Sequence, residues 1–597
     1  MLHIKKIDTL LMRLWFHLGA HRRHQFFLLF VLMLLASFAE MLSIGAVFPF
    51  LGALTSPSAV FENTYAQPII RILAITEPDQ LLLPLTIAFG IATLIAGAMR
   101  VLLLWVSMRF SFSAGADLST TIYRATLYQP YSVQVLRNSS EVISGIYRKT
   151  DIVIYSVLMP VLTLISSVMM VLAVLFALFT INAGVTIMAF GGFTLIYLLI
   201  IVITRNQLAL NGQEISRETT QVIKALQEGL GGIRDVLIDG TQEAYCSVYQ
   251  KSDLPLRRAQ MSNQFIGSSP RFGMEVLGML LIAALAYMLA RQSNGIEKAV
   301  PILGALAIGA QRLLPILQQM YSCWTSIQGS QESLRDTLDL LDQPLPNYLN
   351  NPTTKELIFE NKITLKNLGF KYGSENPWVL RKINLTIDKG SRIGFIGVTG
   401  SGKSTLLDII MGLLQPVEGG IQIDDQELTV LNQRSWQSNI AHVPQSIFLT
   451  DSTIEENIAF GIPRELIDHQ RVFQAAQQAQ IAETIESWPL KYETLVGERG
   501  VKLSGGQRQR IGIARALYKQ AQVIIFDEAT SALDNETEHI VMDAINGLSK
   551  NLTILIIAHR LSTLKDCNKI VKLNHGGIMS INSYEDIIKP FSKTTNQ

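Results

Sequence analysis

A glycine-rich segment in "IGFIGVTGSGKST" has the composition and spacing of a phosphate-binding loop. It fits G-x-x-x-x-G-K-[ST] and follows an apolar stretch that predicts a buried strand. Its glycines let backbone N–H groups turn toward phosphate oxygens, and the helix predicted next offers its positive N-terminus. A chance glycine-rich turn is the alternative, but the flanking strand and helix favour a nucleotide site. Its residues are Gly397, Val398, Thr399, Gly400, Ser401, Gly402, Lys403, Ser404 and Thr405.

Within this loop, Lys403 is predicted to reach the β and γ phosphates, and Ser404 is predicted to bind Mg²⁺. Two acids follow a second predicted strand in "AQVIIFDEATSALD". Asp527 at the end of that strand is expected to hold Mg²⁺ through water, and Glu528 to act as the general base. Paired acids could instead mark a solvated strand end, yet the phosphate-binding loop upstream favours catalysis of phosphoryl transfer.

A third segment, "KLSGGQRQRIGIARAL", places Ser504, Gly505, Gly506 and Gln507 at the start of a predicted helix. These residues offer a second set of backbone donors suited to a phosphate. A lone S-G-G is usually only a helix-entry turn, and one chain has no obvious second nucleotide. The order of the three segments therefore predicts a site completed between two copies, each lending its serine-glycine turn to the other's ATP.

The elements around these segments are predicted to lie in two environments, a lipid bilayer and water. The chain of 597 residues is 49% hydrophobic and only 16% charged, and its net charge of +2 gives no sign of a nucleic-acid partner. About 20 helical residues span a bilayer. Apolar runs of about that length predict six spans, at residues 26–53, 81–108, 155–181, 184–204, 272–290 and 299–324.

Basic residues concentrate before the first span, between the second and third, and between the fourth and fifth. This asymmetry predicts that both termini and the long connections 110–154 and 205–271 are cytoplasmic. The connections are predicted to be helical with turns at "RNSSEV" and "GLGGIRD", the alternative being solvated loops. The predicted domains are an N-terminal amphipathic helix (1–25), an all-α six-helix transmembrane domain (26–330), a linker (331–357) and an α/β ATPase domain (358–597).

The order of these motifs resembles a half-transporter of the ABC exporter type, over essentially the whole length. The resemblance implies roles for five further residues. Tyr372 would stack on adenine, Gln445 would contact Mg²⁺ and the membrane domain, and Glu498 would respond to the cytoplasmic helix tips. Asp534 would link the two ATP sites, and His559 would contact the γ-phosphate. None of these motif positions carries a substitution that would damage the ATP site. The resemblance therefore implies two hydrolytic sites in a homodimer of twelve spans, with a different partner chain as the alternative.

Four charged residues lie within or beside the predicted spans: Glu40, Arg100, Glu275 and Arg312. Such residues usually face a bundle interior or a polar cavity, or reach to water at helix ends. Glu40 lies about 14 residues, or ~21 Å, into its span. It is expected to pair with Arg312 or, as a protonated acid, to bond a backbone carbonyl. Glu40, Arg100 and Arg312 are candidate substrate residues, because guanidinium groups bind phosphate bidentately.

The segments "SFAEMLSIGAVFPFL" and "AQRLLPILQQM" resemble the PglK-type flippases of lipid-linked oligosaccharides. That resemblance implies ATP-driven flipping of a lipid-linked oligosaccharide or another glycolipid across a bacterial plasma membrane. It also implies a small external helix at residues 66–75, for which an ordinary extracellular loop is the alternative. One alternative is a multidrug or general lipid exporter acting on lipid A-like substrates. The other is an ATPase that regulates a channel without transport.

Overall fold

The computed structural model describes most of the chain, in two compact units that are treated separately. The first unit is Met1–Gln129 with Arg137–Pro344, and the second is Pro130–Leu136 with Leu345–Gln597. The described residues are 7–55, 57–62, 67, 75–181, 183–290, 313–346, 357–373, 375–528, 538–539, 542–543, 545, 547, 551–558 and 560–587.

Helices build the first unit, and most of them are long and apolar. They are Ile7–His17, Ala20–Thr55, Pro57–Phe61, Leu82–Leu127, Met159–Ile181, Ala183–Gly231, Pro270–Ala290 and a helix over 313–329. Among the described residues, four helical stretches are long and apolar enough to cross a membrane: Ala20–Leu54, Pro78–Leu127, Ser139–Phe176 and Phe190–Gly231. These four correspond to the first four predicted spans. The helix Pro270–Ala290 covers the fifth, and residues 299–312 of the sixth lie outside the described residues, as does most of the predicted external helix 66–75.

The two long connections at residues 110–154 and 205–271 are largely helical, as predicted. The first connection contains the helices Tyr131–Leu136, Ser139–Ile143 and Thr150–Val153, with π-helical segments at Ser144–Lys149 and Ile154–Leu158. The second contains the helices Ile233–Ile238 and Gln242–Ser268. The turn predicted at "RNSSEV" is confirmed at residues 137 and 138, between the helices Tyr131–Leu136 and Ser139–Ile143. The Asn138 side chain accepts a hydrogen bond from the Ser140 backbone N–H at 3.0 Å and caps this helix.

The predicted linker also begins later than expected, because residues Gln331–Leu341 form a helix. Leu334 and Leu338 are fully buried, one turn apart on the same face. They share a hydrophobic core with Leu10 and Leu14 of the N-terminal helix. Packing of this leucine face against distant parts of the chain therefore makes the first 11 residues of the predicted linker an ordered element.

The N-terminal helix Ile7–His17 presents two different faces. Leu10 and Leu14 are buried, and Arg13 Nη2 lies 2.8 Å from Asp339 Oδ1. On its other side, Met12 and Phe16 are 63% and 66% exposed. The exposed apolar face suits the predicted position along a membrane surface, while the buried face fixes the helix to the protein.

Two sheets organise the second unit. Its strands are β1 Lys362–Phe370, β2 Leu380–Asp388, β3 Arg392–Ile396, β4 Glu418–Ile423, β5 Gln426–Glu427, β6 Ile440–Val443, β7 Val523–Asp527, β8 Thr553–Ile557, β9 Lys569–Asn574 and β10 Gly577–Asn582. An antiparallel sheet has the order β2-β1-β4-β5, and a six-stranded sheet has the order β10-β9-β3-β8-β7-β6. In the second sheet, β9, β3, β8, β7 and β6 pair in parallel, and β10 is antiparallel to β9.

Helices complete this α/β unit, as predicted. They are Lys403–Ile410, Gln433–Ser438, Ile454–Ile458, His469–Gln478, Ala482–Glu486 and Gly505–Tyr518. Strands β3 and β7 flank β8, and their side chains are largely buried. Because the carboxyl ends of parallel strands lie at one edge of a sheet, β3 and β7 bring the glycine-rich loop and the paired acids to the same edge.

Candidate functional site

The glycine-rich loop has a backbone that only glycine adopts easily. Gly400 and Gly402 have φ values of +83° and +95°. A Cβ atom at Gly397 would lie 2.5 Å from the Leu573 carbonyl oxygen. The glycines predicted from the motif are therefore required both by the left-handed turns of the loop and by its close approach to a neighbouring strand.

Polar groups inside the loop fit a phosphate. Lys403 Nζ donates to the carbonyl oxygens of Gly397 at 2.8 Å and Val398 at 3.3 Å, so its ammonium group lies within the loop. The Ser401 hydroxyl is buried and has no hydrogen-bond partner among the described residues. A buried hydroxyl of this kind costs free energy unless a ligand satisfies it, so the loop is suited to a phosphate anion.

The paired acids at the end of β7 include a strained residue. Glu528 has a φ of +50°, which is unfavourable for a residue with a Cβ atom. Its carboxylate Oε2 accepts a hydrogen bond of 2.9 Å from Gln445 Nε2. The structure thus brings together two of the residues predicted for hydrolysis, and the unusual backbone at Glu528 is typical of functional positions.

Two residues near this site were not predicted from the sequence. Burial and the neighbouring Asp527 carboxylate raise the pKa of Asp408 to about 6. Burial and then the charges of Asp408 and Tyr372 raise the pKa of Tyr131, which belongs to the second unit through the short helix Tyr131–Leu136. Neither residue belongs to a motif. Asp408 lies five residues after Lys403, in the helix that follows the loop, and this position is the sequence feature that could have placed it at the site.

The remaining predicted ATP residues are arranged as follows. The Tyr372 hydroxyl lies 3.3 Å from Thr405 Oγ1, so the predicted adenine residue adjoins the glycine-rich loop. The Ser504 hydroxyl accepts from the Gln507 backbone N–H at 3.2 Å, and the Gln507 side chain accepts from the Ser504 N–H at 2.9 Å. This reciprocal pair caps the helix Gly505–Tyr518. Asp534 and His559 lie outside the described residues.

The membrane unit holds an ion pair that the sequence did not predict. Arg100 Nη2 lies 3.0 Å from Glu40 Oε2; the Glu40 side chain is 2% exposed and that of Arg100 is 44% exposed. The expected partner of Glu40, Arg312, lies outside the described residues. Arg100 is brought to Glu40 because the first two span helices, Ala20–Thr55 and Leu82–Leu127, pack along one another. Glu275 pairs with Arg271 at 2.8 Å on an exposed face, as expected for a helix end.

These features define a membrane-embedded ATPase, with a helical transmembrane domain followed by a phosphate-loop domain. Two family profiles match the chain: "ABC transporter transmembrane region" over residues 25–297 and "ABC transporter" over residues 380–531. The chain is similar to an ATP-dependent lipid A-core flippase of Cupriavidus metallidurans, with 30% identity over 432 residues and 72% of each chain covered. A flippase of the same description from Alkalilimnicola ehrlichii is 32% identical over 365 residues, which is 61% of each chain.

A solved structure described as a bacterial Atm1-family ABC exporter with ATP bound has the same fold. Its TM-score is 0.78 at 24% sequence identity, and the match covers 97% of this chain and 99% of the other. The chain belongs to the ABC transporter family, as an exporter-type half-transporter. Its ATPase domain binds nucleotide, and it couples ATP hydrolysis to translocation across a membrane.

Proposed function

We propose that two copies of this chain form a pump that uses ATP to move a glycolipid with a phosphorylated head group from the inner to the outer leaflet. The observation that carries the substrate class is the pair of Glu40 and Arg100. A guanidinium that is 44% exposed within an apolar helix, and held by a buried carboxylate, is suited to bind a phosphate.

Two glycolipid classes combine sugar, phosphate and lipid. The lipid A-core flippases among the relatives support a lipid A-like substrate, which the sequence favoured only as an alternative. A lipid-linked oligosaccharide is the second candidate, supported by the resemblance of the segments around Glu40 and Arg312 to PglK-type flippases. We therefore propose lipid A-like glycolipids first and polyprenyl-linked glycans second.

At the ATP site, this chain's residues divide the work of phosphoryl transfer. Lys403 and the loop backbone bind and orient the phosphates, and Tyr372 positions the adenine. Ser404, Gln445 and Asp527 would hold Mg²⁺, which when bound supplies positive charge to the phosphate oxygens.

Proton transfer and closure of the site involve three further residues. Glu528 accepts the proton of the attacking water, and its hydrogen bond from Gln445 orients it. His559 contacts the γ-phosphate. The capped Ser504 turn of one copy completes the ATP site of the other, with Asp534 linking the two.

The proposed setting is a homodimer in a bacterial inner membrane with both termini and the ATPase domain in the cytoplasm. The positive residues of the cytoplasmic connections support this orientation. ATP-driven closure of the two ATPase domains would move packed helices between two discrete arrangements, and hydrolysis would reset them. The exposed Glu498 is proposed to respond to the cytoplasmic helix tips during this change.

The test uses the full-length protein in proteoliposomes. ATP hydrolysis and leaflet exchange are measured with a lipid A-core glycolipid, a polyprenyl-pyrophosphate glycan, a phospholipid and a hydrophobic dye. We expect the phosphorylated glycolipids to stimulate hydrolysis and change leaflet. Arg100→Gln should raise the glycolipid concentration needed for half-maximal stimulation about tenfold. Movement of the dye alone would contradict the substrate class, and hydrolysis without any movement would indicate a regulator rather than a pump.

A further inference from the structure

Arg23 lies where the N-terminal helix Ile7–His17 is followed by the first span helix, Ala20–Thr55. Its Nη2 donates to the Phe16 carbonyl at 2.9 Å, near the C-terminal end of the N-terminal helix. Its Nε is buried, and neither Nε nor Nη1 makes a hydrogen bond within the described part of the chain. A partly buried cation without an anion costs free energy, so a bound anion would stabilise this guanidinium.

The neighbouring Arg22 has a different environment. All three of its guanidinium nitrogens are engaged, because Nε and Nη2 donate to Asp117 at 2.7 and 3.4 Å and Nη1 donates to Gln25 at 2.8 Å. Among the described residues, no carboxylate pairs with Arg23. The bond to the Phe16 carbonyl uses one of its N–H groups, and the others remain for a ligand. Arginine presents these groups in a plane that matches the oxygens of a phosphate.

Aromatic side chains surround the Arg23 guanidinium. The centroids of the Trp15 and Phe16 rings each lie 5.9 Å from Arg23 Cζ. Phe27 follows Arg23 by one helical turn on the same face of the first span helix, and it is 62% exposed. A cation therefore precedes the exposed apolar surface of the span helix by one turn. The phosphate and the acyl chains of a phospholipid have the same order.

The position of Arg23 in the chain matches the level of lipid head groups. The apolar sequence of the first span begins at Phe26, about 4.5 Å further along the helix axis. Trp15, beside this arginine, is of a residue type that is enriched at the surface of the bilayer. In the proposed orientation this surface is cytoplasmic, and the cytoplasmic leaflet carries anionic lipids that attract basic residues. Depth and charge both favour an anionic phospholipid.

Packing of the N-terminal helix holds the aromatic rings beside Arg23 in place. The Trp15 ring meets the Phe26 ring edge-on, with centroids 5.0 Å apart. On the opposite side of the helix, Arg13 Nη2 lies 2.8 Å from Asp339 Oδ1. A site on elements that are already fixed loses less conformational freedom when its ligand binds.

We propose that Arg23, Trp15 and Phe16 bind the phosphate of an anionic phospholipid of the cytoplasmic leaflet. Nη1 and the second N–H group of Nη2 would donate to the phosphate oxygens, and an acyl chain would lie along Phe27. This ligand is a lipid of the surrounding membrane and not the transported glycolipid. The bound lipid would hold the N-terminal helix at the membrane surface.

Tryptophan quenching by brominated lipids tests this site in the full-length protein, reconstituted in bilayers of phosphatidylcholine. Phosphatidylglycerol with brominated acyl chains is the anionic probe, and brominated phosphatidylcholine is the zwitterionic comparison. All measurements use the background variant Trp105→Phe, because Trp105 is 55% exposed on the second span helix and would also be quenched. Trp15→Phe in the same background shows which part of the signal comes from Trp15.

We expect the association constant at Trp15 to be about fivefold higher for phosphatidylglycerol than for phosphatidylcholine. Arg23→Gln should reduce this ratio to about one, because the guanidinium is lost. Quenching by brominated phosphatidylcholine should stay unchanged in this variant, which shows that the N-terminal helix keeps its position. Arg258→Gln is the matched control, since it removes an exposed arginine from the helix Gln242–Ser268, and it should leave the ratio unchanged.

Arg23→Lys guards against a local change of structure in Arg23→Gln. It keeps the charge and loses the planar arrangement of donors, so the ratio should fall to about twofold. A ratio of one in the protein that retains Arg23, an unchanged ratio in both Arg23 variants, or an equal loss in Arg258→Gln would overturn the lipid site. Displacement of phosphatidylglycerol by millimolar inorganic phosphate at constant ionic strength would also overturn it, because the site would then take free phosphate.

Discussion

At the scale of single residues, Glu40 shows how a membrane helix keeps an ionisable side chain. Its carboxylate is almost fully buried and lies 3.0 Å from the Arg100 guanidinium of the neighbouring helix. Removing one partner of a buried pair leaves the other uncompensated, whereas exposed pairs contribute little. The pair is therefore expected to matter for stability as well as for phosphate binding.

A double-mutant cycle measures this coupling. We expect Arg100→Gln to destabilise the protein more than Glu40→Gln, because it leaves a buried carboxylate without its cation. The double variant should recover part of the loss, with a coupling of about 1–2 kcal/mol. The matched control is the exposed pair Asp253 and Arg257, 3.2 Å apart, for which Asp253→Asn and Arg257→Gln should couple by less than about 0.5 kcal/mol.

Denaturant unfolding of the detergent-solubilised protein provides the free energies for this cycle. Additive effects of Glu40→Gln and Arg100→Gln would show that the ion pair does not contribute.

At the scale of elements, two glycines allow helices of the membrane unit to cross at close distance. A Cβ atom at Gly212, in the helix Ala183–Gly231, would lie 2.8 Å from the Gly329 carbonyl oxygen. A Cβ atom at Gly329 would lie 2.5 Å from Asn263 Nδ2. These glycines allow the helices Ala183–Gly231, Gln242–Ser268 and 313–329 to approach one another, and at Gly212 the backbone of Gly329 leaves no room for a methyl group.

We expect Gly212→Ala to destabilise the protein by about 1–3 kcal/mol because of this overlap. Gly191→Ala is the matched control in the same helix, since nothing lies within 4 Å of its added Cβ. Alanine favours a helix interior, so the control should be neutral or stabilising by up to about 1 kcal/mol. The measurement is thermal unfolding in one detergent, and equal Tm values for both variants would contradict the close crossing.

The elements also show which features the sequence predicts and which it does not. The glycine-rich loop, the acids at Asp527 and the span helices are encoded in short segments, so spacing and hydropathy suffice to predict them. The helix Gln331–Leu341 and the partner of Glu40 depend on packing between segments far apart in the chain. The same holds for Tyr131 near Tyr372, where no local pattern indicates the neighbour.

At the scale of the whole molecule, one chain combines a membrane domain with an ATPase domain. The ATP site contains the glycine-rich loop and Glu528. The backbone of Glu528 is strained, and its carboxylate accepts a hydrogen bond from Gln445. Its Ser504 turn is capped at the start of a separate helix, which is consistent with our proposal that a second copy uses it. Together, the ATP site and the charged pair in the membrane support transport of a glycolipid that depends on hydrolysis at Glu528.

The most direct test compares ATP-driven leaflet exchange of a fluorescent lipid A-core glycolipid in proteoliposomes of the unmodified protein, Glu528→Gln and Glu465→Gln. Glu465 is an exposed control in the same unit. Loss of a general base lowers turnover by about 10²–10⁴-fold. We predict at least about 100-fold slower exchange in Glu528→Gln and an unchanged rate in Glu465→Gln. Exchange in Glu528→Gln at the unmodified rate would contradict the ATP-driven pump.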